Sequence, residues 1–433
     1  MSGSTSVPPV PSPAPCMEVT NENWQKSVGS WSFQNVNRIL RTVPIPRIHG
    51  DNAVAPLNPA SVDPAEILTI KVKLYDNKNL YTVQDIIDAT DTDGWIVLHN
   101  NEVVIEQYPG MSETTKHLLM SVTKTLTATV AGALVGETIN GKRTLDPDRE
   151  VTQYVPALRN SGYVGATVRH VLDMVSDIKF SEDYLDPKSE VRRMEAAAEW
   201  GPPSNPPETL EQFLYSLTAK GGNHGERFEY RSCETAVLGL VCEAAYQQNH
   251  NVVKSFAELT SELLWSKLGA EHDAYVTVDG EGTAAYDGGI CATLRDLSRF
   301  GAMICRGGKP IHNDNLQVVS QGWVNDIFEN GSVHAFERGP NYDELDMPGG
   351  KFRSMFWSPT GNRDVVICIG VHGQLVYINR ATNTVGVKFS SWARPVEEWN
   401  GRWKGFSAVS MFEAINAYLV PATTRTTAGM VSR

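Results

Sequence analysis

Short runs rich in β-branched and aromatic residues lie near both ends of the chain. Two of them, 95–99 and 102–108, flank Asn100 and Asn101. Asn tolerates the positive φ of a tight turn, so this arrangement predicts a β-hairpin. Three further runs of this type occur late in the chain, at 365–371, 375–378 and 385–389. The pattern predicts a sheet built from strands that are distant in sequence.

Apolar residues spaced three or four apart indicate helices. Over 117–137, Leu126, Val130 and Leu134 recur at this spacing with Ala and Gly between them, which predicts a helix packed on several sides. Helical spacing dominates 145–280, and it returns near the C-terminus in a closing helix. That helix carries four apolar residues on one face: Val409, Phe412, Ile415 and Leu419.

This order of elements predicts an α/β (α+β) fold, with an antiparallel sheet flanked by helices. Residues 21–144 and 285–433 would form one α/β domain, and 145–284 a mainly helical insert. The first 20 residues, rich in Pro and Ser, predict a disordered or extended tail. A ligand would bind in the cleft between the two parts.

Composition and charge narrow the function classes. The 433 residues carry a net charge of -12 from scattered Asp and Glu, which makes nucleic acid an unlikely partner. No apolar run is long enough to span a bilayer, and no secretory signal pattern opens the chain. We therefore expect a cytoplasmic protein with no membrane partner.

The six cysteines are far apart, and none has the spacing of a zinc ligand: Cys16, Cys233, Cys242, Cys291, Cys305 and Cys368. Several lie in apolar runs, where a thiol behaves as a small hydrophobic group. We expect no disulfide framework, no metal and no organic cofactor.

The pattern Ser-x-x-Lys occurs twice, at Ser121–Lys124 and at Ser176–Lys179, and about one match is expected by chance. On a helix, positions i and i+3 share a face, so the Lys124 amine can lie beside the Ser121 hydroxyl. Apolar neighbours would desolvate Lys124 and favour a neutral amine, which can accept the serine proton. The second copy precedes an acidic polar loop, which would keep Lys179 charged. These residues alone leave a catalytic pair and a plain helix terminus both open for Ser121 and Lys124.

Two later segments add candidate chemistry. Tyr230, in FEYRSCETAVLG, precedes a helix and could point into a cleft, although a buried tyrosine with a satisfied hydroxyl is the common alternative. In the segment Gly370-Val371-His372-Gly373-Gln374, glycines interrupt an apolar strand. Such glycines often mark a close approach to the backbone, where a peptide N–H could meet an oxyanion.

Together these three motifs, in this order, resemble the serine β-lactamase and penicillin-binding-protein superfamily. The segments HLLMSVTKTL, DYLDPKSEV, FEYRSCETAVLG and GVHGQ are most similar to the 6-aminohexanoate-dimer (nylon oligomer) hydrolase branch and related carboxylesterases. The similarity runs from about residue 22 to residue 420 and implies a β-lactamase-like fold.

The resemblance implies the catalytic roles. Ser121 would be the nucleophile, Lys124 the base that activates it, and Tyr230 the acid/base that relays the proton to the leaving group. The backbone N–H groups of Ser121 and Gln374 would form the oxyanion hole. No cofactor is implied.

The resemblance also implies substrate contacts. His372 and Gly373 stand at the substrate-binding strand, and Tyr184 matches a tyrosine that contacts the scissile amide. Glu195 lies near a position that binds the substrate's amino group, with a surface carboxylate as the open alternative. Trp357 either lines the pocket or belongs to the core.

Two departures from the antibiotic-hydrolysing pattern bear on the substrate. Tyr230-Arg231-Ser232 replaces Tyr-x-Asn, and His372-Gly373-Gln374 replaces Lys-Thr/Ser-Gly. The missing lysine removes a cation that would bind the β-lactam carboxylate, since His is at best partly charged at neutral pH. The substitutions favour simple esters or linear amides.

We therefore predict a serine hydrolase that cleaves a small-molecule amide or ester through an acyl-enzyme. Alternatives are an acyltransferase, transesterase or cyclase that uses the same acyl-enzyme, and a non-catalytic binding protein that keeps the fold. A homodimer is left open.

Overall fold

The computed structural model describes residues 19–27, 29–47, 54–74, 79–341, 347–359, 362–399 and 402–420. Almost all of the tail predicted over residues 1–20, with Cys16, lies outside the described residues. The other five cysteines are free thiols. Among the described residues, no helix has both the length and the apolar character that crossing a membrane requires.

Strands occur in the early and late parts of the chain. In chain order they are β1 (Thr42–Ile45), β2 (Lys71–Lys73), β3 (Leu80–Thr82), β4 (Thr92–His99), β5 (Glu102–Gln107), β6 (His117–Leu118), β7 (Thr138–Ile139), β8 (Lys142–Arg143), β9 (Ala274–Thr277), β10 (Ile290–Ala292), β11 (Lys351–Arg353), β12 (Phe356–Ser358), β13 (Val365–Gly370), β14 (Gln374–Asn379), β15 (Thr384–Ser390), β16 (Glu398–Trp399) and β17 (Arg402–Trp403).

Helices fill the middle and flank the sheets. They are α1 (Trp24–Ser27), α2 (Ser30–Gln34), α3 (Pro64–Thr69), α4 (Val83–Ala89), α5 (Thr123–Gly136), α6 (Val151–Tyr154), α7 (Val168–Leu172), α8 (Glu190–Ala197), α9 (Leu210–Ser216), α10 (Ser232–His250), α11 (Phe256–Leu263), α12 (Leu294–Cys305), α13 (Gln321–Glu329), α14 (Val333–Glu337) and α15 (Lys404–Leu419). Short 3-10 turns lie at Val36–Arg38, Met120–Val122, Pro156–Asn160, Trp265–Lys267 and Val371–Gly373.

The largest sheet joins the two ends of the chain. Its seven strands run β11-β12-β13-β14-β15-β4-β5, and every neighbouring pair is antiparallel. The predicted hairpin is confirmed as β4 and β5, with Asn100 and Asn101 at φ 52° and 67°. β4 also pairs with β15, so the early hairpin and the late strands form one sheet.

Helices cover both faces of this sheet, as the alternation of side chains along β15 requires. The side chain of Val385 faces Gly301 of α12, where a Cβ would lie only 2.6 Å from it. The next residue, Gly386, faces α15, and a Cβ there would lie 2.4 Å from the Phe412 ring. Two glycines thus permit close helix packing on opposite faces, and the predicted antiparallel sheet flanked by helices is confirmed.

A smaller antiparallel sheet, ordered β1-β9-β10-β6, lies beside the candidate site. The segment 145–284 contributes β9 to this sheet as well as helices α6 to α11. The division into an α/β domain and a helical insert stays a prediction. What matters for the site is that β6 ends at Leu118, immediately before the residues that carry Ser121.

Candidate active site

A strained turn presents Ser121. Leu118 pairs with Cys291 of the small sheet, and the Leu119 N–H donates to the Ile290 carbonyl at 2.9 Å. Met120 then has φ 46°, a left-handed conformation that non-glycine residues rarely adopt. The turn places Ser121 at the N-terminal end of α5 with 8% of its surface exposed. Backbone strain of this kind persists only where the surrounding structure fixes the conformation, and it is often found at functional sites.

Lys124 lies one helical turn beyond Ser121 and is fully buried. Its Nζ is 3.0 Å from the Ser121 Oγ and donates to the Asp287 carbonyl at 3.0 Å. The Asp287 carboxylate is 3.5 Å away. Burial lowers the pKa of Lys124, but Tyr230, Asp287 and Glu182 raise it by more than burial lowers it. The net pKa therefore lies above the ordinary lysine value. Desolvation alone would favour a neutral amine, as expected from the sequence, but the groups that face Lys124 act in the opposite direction.

Tyr230 reaches the same point from the loop before α10. The Asn341 side chain accepts from the Tyr230 N–H at 3.0 Å, and Trp357 stacks on the phenol ring at 5.3 Å. The Lys124 Nζ lies 5.3 Å from the ring centre. Burial raises the pKa of the Tyr230 hydroxyl, although Lys124 acts in the opposite direction. The phenol is therefore protonated at neutral pH, a state in which it can donate a proton.

Glu182 is a half-buried carboxylate that the sequence interpretation missed. It accepts hydrogen bonds from the Ser232 N–H at 2.8 Å and the Ser232 hydroxyl at 2.6 Å, at the start of α10. The Tyr184 hydroxyl donates to it at 2.5 Å. Burial raises the pKa of Glu182, and Lys124 lowers it, with a net rise. Glu182 thus fixes Tyr184 and α10 beside Lys124.

The His372 segment forms a tight turn between β13 and β14. His372 has φ 62°, and its Nδ1 donates to the Trp392 carbonyl at 2.7 Å, which leaves Nε2 as an acceptor. Burial lowers the pKa of His372 to about 4, so the ring is uncharged at neutral pH. A side chain at Gly373, with φ 96°, would meet the Trp392 ring at 2.4 Å. The turn therefore offers no cation to a substrate carboxylate.

Gln374 holds this turn in place through its side-chain amide. The amide nitrogen donates to the His372 carbonyl at 3.2 Å and the Ser390 carbonyl at 2.6 Å. At Gly370, the close approach predicted from the glycine is real. The neighbour is the Leu119 carbonyl, 2.8 Å from where a Cβ would lie, rather than a ligand. The candidate oxyanion backbone and the Ser121 turn are thus packed directly together.

Glu195 on α8 faces the site, but its charge has a partner. The Arg192 guanidinium donates to it at 2.5 Å and also bonds Gln25 of α1 at 3.0 Å. Burial raises the pKa of Glu195, and Arg192 lowers it, with a net rise. The Glu195 carboxylate is therefore part of an ion pair with Arg192 and is not an unpaired anion that could bind a substrate amine.

Two cavities meet at Ser121. The smaller has a volume of about 30 Å³ and includes Tyr184, Glu195, Asp287 and His372 in its walls. The larger has a volume of about 810 Å³ and is lined by Tyr184, Tyr230 and Trp357 among others. The residues predicted from the sequence lie around one location at Ser121. Three of them do not line either cavity: Gly373 and Gln374 hold the turn behind the cavity wall, and Lys124 is buried next to Ser121.

The second Ser-x-x-Lys copy has a different environment. The Ser176 hydroxyl donates to the buried Glu234, and Lys179 is exposed at the edge of the larger cavity. The two side chains are not brought together around a common point. Ser176 is a structural hydrogen-bond donor, in agreement with the preference given to the first copy.

Three site residues escaped the sequence interpretation: Gln25, Glu182 and Asp287. Glu182 directly precedes the segment DYLDPKSEV and was therefore adjacent to a recognised motif, whereas Asp287, which precedes Gly288 and Gly289, was adjacent to none of the four segments. Gln25 gave no signal. In the part of the chain that the structure describes, no group of three His, Cys, Asp or Glu side chains could hold a metal ion.

The chain is similar to known proteins over most of its length. The β-lactamase family profile matches residues 83–405. The chain belongs to the β-lactamase family. A 6-aminohexanoate-dimer hydrolase from Paenarthrobacter ureafaciens is 35% identical over 396 residues, covering 90% of this chain and 92% of the relative. A hydrolase of this family is therefore supported.

Solved structures share the fold at lower sequence identity. A Bacillus anthracis protein superposes with a TM-score of 0.78 at 22% identity, covering 93% of this β-lactamase-family chain and 97% of its own. EstCE1, a hydrolase with promiscuous acyltransferase activity, has a TM-score of 0.55 at 14% identity, covering 77% and 97%. These likenesses show the fold alone.

Proposed function

We propose that this β-lactamase-family hydrolase cleaves a small-molecule amide or ester through an acyl-enzyme on Ser121. The observation that carries the proposal is the meeting of the Ser121 hydroxyl, the Lys124 amine and the Tyr230 phenol where two cavities join. A nucleophile, a base and an acid within reach of one carbonyl are what acyl transfer requires.

In the first step, the Ser121 Oγ attacks the substrate carbonyl carbon and its proton passes to the Lys124–Tyr230 pair. Because the pKa of both resting groups is raised, the working form of this pair carries one proton fewer than the resting form. The oxygen anion that develops would be stabilised by the backbone N–H groups of Ser121 and Gln374.

To complete acylation, the leaving group takes a proton from Tyr230 and departs, which leaves the acyl group on Ser121. Water then attacks the acyl carbon, its proton passes through the same pair to the departing Ser121 Oγ, and the acid is released. Tyr230 faces the larger cavity, where a departing amine or alcohol has room. The proton from Ser121 thus reaches the leaving group, and the proton from water restores the Ser121 hydroxyl, both by way of Lys124 and Tyr230.

The remaining predicted residues would contact the substrate. We propose that Tyr184 and Trp357 border the scissile bond from the larger cavity, while His372 and Glu195 line the smaller one. His372 would accept a hydrogen bond, and Gly373 keeps its turn. Because Arg192 already pairs with Glu195, we propose that Glu195 accepts hydrogen bonds rather than supplying a net negative charge.

Intact-mass and peptide-mass measurements after incubation with a panel of activated esters and amides test the proposal. The expected result is an acyl adduct on the peptide that contains Ser121 and no adduct in Ser121→Ala. Hydrolysis that persists in Ser121→Ala would overturn the assignment. Thermal unfolding of both proteins serves as the folding control.

Acyl transfer to an alcohol or amine is a second candidate, favoured by one observation. The larger cavity beside Ser121 has a volume of about 810 Å³, which can admit an acceptor as well as water. If an added alcohol diverts most of the acyl group from water at millimolar concentration, transfer is the main activity. If the added alcohol leaves the ratio of acid to ester product unchanged, hydrolysis is the main activity.

A further inference from the structure

The two cavities at Ser121 differ greatly in size. Measured in the same way, they have volumes of about 30 Å³ and about 810 Å³. Both are lined by Ser121, so a substrate whose carbonyl carbon lies at the Ser121 Oγ can place one half in each cavity. The difference in cavity volume therefore limits the size of one half of the substrate much more than the size of the other.

Tyr230 shows which half enters which cavity. A residue that protonates the leaving group must lie on the leaving group's side of the carbonyl. Tyr230 lines the larger cavity and is absent from the walls of the smaller one. The leaving group therefore occupies the larger cavity, and the acyl group occupies the smaller.

Buried apolar side chains form part of the wall of the small cavity. Met120, Met194 and Trp200 line it and are 4%, 3% and 7% exposed. Trp200 is anchored by a hydrogen bond from its indole N–H to the Thr277 hydroxyl at 3.0 Å. A volume of about 30 Å³ beside such a wall accommodates a short acyl group and excludes a long one.

The large cavity has an apolar rim that no other part of the described chain covers. Leu185 and Val396 line it with 77% and 55% of their surface exposed, so a bound group can cover them. Trp357 and Trp403 continue the apolar wall inwards. A leaving group that covers this surface gains binding free energy from each buried CH₂ group.

The charges around the large cavity disfavour an anionic leaving group. Its lining contains four carboxylates and two ammonium groups: Glu182, Asp183, Glu190, Glu229, Lys179 and Lys220. Lys220 is already paired with Glu229 at 2.9 Å. A carboxylate carried by the leaving group would meet a surplus of like charge, which acts against such substrates.

We propose that this enzyme selects a short acyl group joined to a bulky, apolar alcohol or amine that carries no carboxylate. The proposal rests on the function proposed above and specifies its substrate class. Met194 limits the acyl length, and Leu185 and Val396 bind the leaving group.

An ester series with one leaving group and acyl chains of two to eight carbons tests the acyl side. We expect kcat/KM to fall by on the order of 10-fold or more between the acetyl and hexanoyl esters. Met194→Ala should move the preferred chain length upwards. Met303→Ala, which removes an equally buried methionine of α12 outside both cavities, should not. An unchanged or rising kcat/KM for long acyl chains in the wild type would overturn this half.

Acetyl esters of methanol, hexanol, 2-phenylethanol and 6-hydroxyhexanoate test the leaving-group side. We expect the hexyl and phenylethyl esters to exceed both the methyl and the carboxylate-bearing ester by on the order of 10-fold in kcat/KM. Leu185→Asp and Val396→Asp should lower the ratio of hexyl to methyl ester. Val253→Asp, at an equally exposed valine outside both cavities, should leave that ratio as it is.

The failure of this proposal differs from a failure of the proposed function. Equal rates across both series, together with an adduct on Ser121, would overturn the substrate class and keep the mechanism. Absence of both turnover and adduct across the panel would overturn the mechanism itself. Preference for the carboxylate-bearing ester would reverse the charge argument.

Discussion

The pattern Ser-x-x-Lys stands at the start of α5 and again just after α7, and the two copies have different surroundings. At the first copy a helical turn brings the Lys124 Nζ within 3.0 Å of the Ser121 Oγ. At the second copy the chain has left α7 and Ile178 forms an isolated β-bridge with Ala219, so no helical turn brings Lys179 back to Ser176. The pattern has chemical meaning only where the backbone is helical.

The comparison also separates two uses of a buried serine. Ser121 lies at a junction of cavities, whereas Ser176 is 2% exposed and donates to Glu234, which Arg231 also contacts. Arg231 bonds the Ile178 carbonyl at 2.8 Å and so ties the second copy to the loop that carries Tyr230. The second copy supports the site that the first copy forms.

The largest expected effect comes from exchanging the two serines for alanine. Ser121→Ala should lower kcat for a good ester by about 10⁴-fold or more, because removal of a nucleophile abolishes the covalent route. Ser176→Ala should retain kcat within about threefold. Steady-state kinetics on both variants measure the contrast, and equal losses would erase the distinction drawn between the copies.

The next effect concerns the two lysines. Lys124→Met, which keeps the length and removes the amine, should lower kcat/KM by about 10²- to 10⁴-fold, the range for loss of a proton-transfer group. Lys179→Met should change it by less than about tenfold. Circular dichroism and thermal unfolding check that both variants fold. A larger loss in Lys179→Met than in Lys124→Met would show that Lys124 is not the base.

Tyr230→Phe should discriminate between leaving groups. The loss should reach about 10²-fold or more for amides and alkyl esters, whose leaving groups need a proton. It should be smaller for p-nitrophenyl esters, because p-nitrophenolate departs without one. Tyr418→Phe, at a tyrosine that bonds Glu66 on the surface, is the matched control. Equal losses for all leaving groups would contradict the role as acid.

The pH dependence reports the charge around Lys124. Since the net pKa of Lys124 is raised, the form of the site with one proton fewer becomes more abundant as pH increases. We expect kcat/KM to rise between pH 7 and pH 9, by up to tenfold per pH unit. His372, whose pKa is about 4, should contribute nothing in this range. A profile that is flat above pH 7 would contradict the protonated resting lysine.

The smallest effect concerns stability at the second copy. Burial raises the pKa of Glu234 to about 7, and Arg231 and the Ser176 hydrogen bond lower it. Between its ordinary pKa and about 7, the folded state binds more protons than the unfolded state, so this group lowers stability as pH rises. Ser176→Ala removes a donor to the carboxylate and should lower the free energy of unfolding by roughly 1–3 kcal/mol at pH 8.

The loss in Ser176→Ala should be smaller at pH 5, where Glu234 is protonated. Chemical denaturation at both pH values measures it, with Ser298→Ala in α12 as a buried-serine control. A loss that is equal at pH 5 and pH 8 would show that the carboxylate is not the partner that matters.

Much of the fold followed from local pattern. Asn100 and Asn101 adopt the positive φ that the hairpin prediction required, and the closing helix α15 carries Phe412 against the sheet as its apolar face predicts. These features depend on residues that are neighbours in sequence. The contribution of β9 to a second sheet could not be predicted, because its partners β1 and β10 are set by tertiary packing.

The sequence by itself determined the order of the motifs, the helical register that pairs Ser121 with Lys124, and the absence of a lysine at His372. Only the tertiary structure decided the charge of Lys124, since Glu182 and Asp287 come from distant segments. It alone also divided the space at Ser121 into a small and a large cavity. Spacing fixes what neighbours in a helix can do, whereas electrostatics and volume depend on every segment that packs around the site.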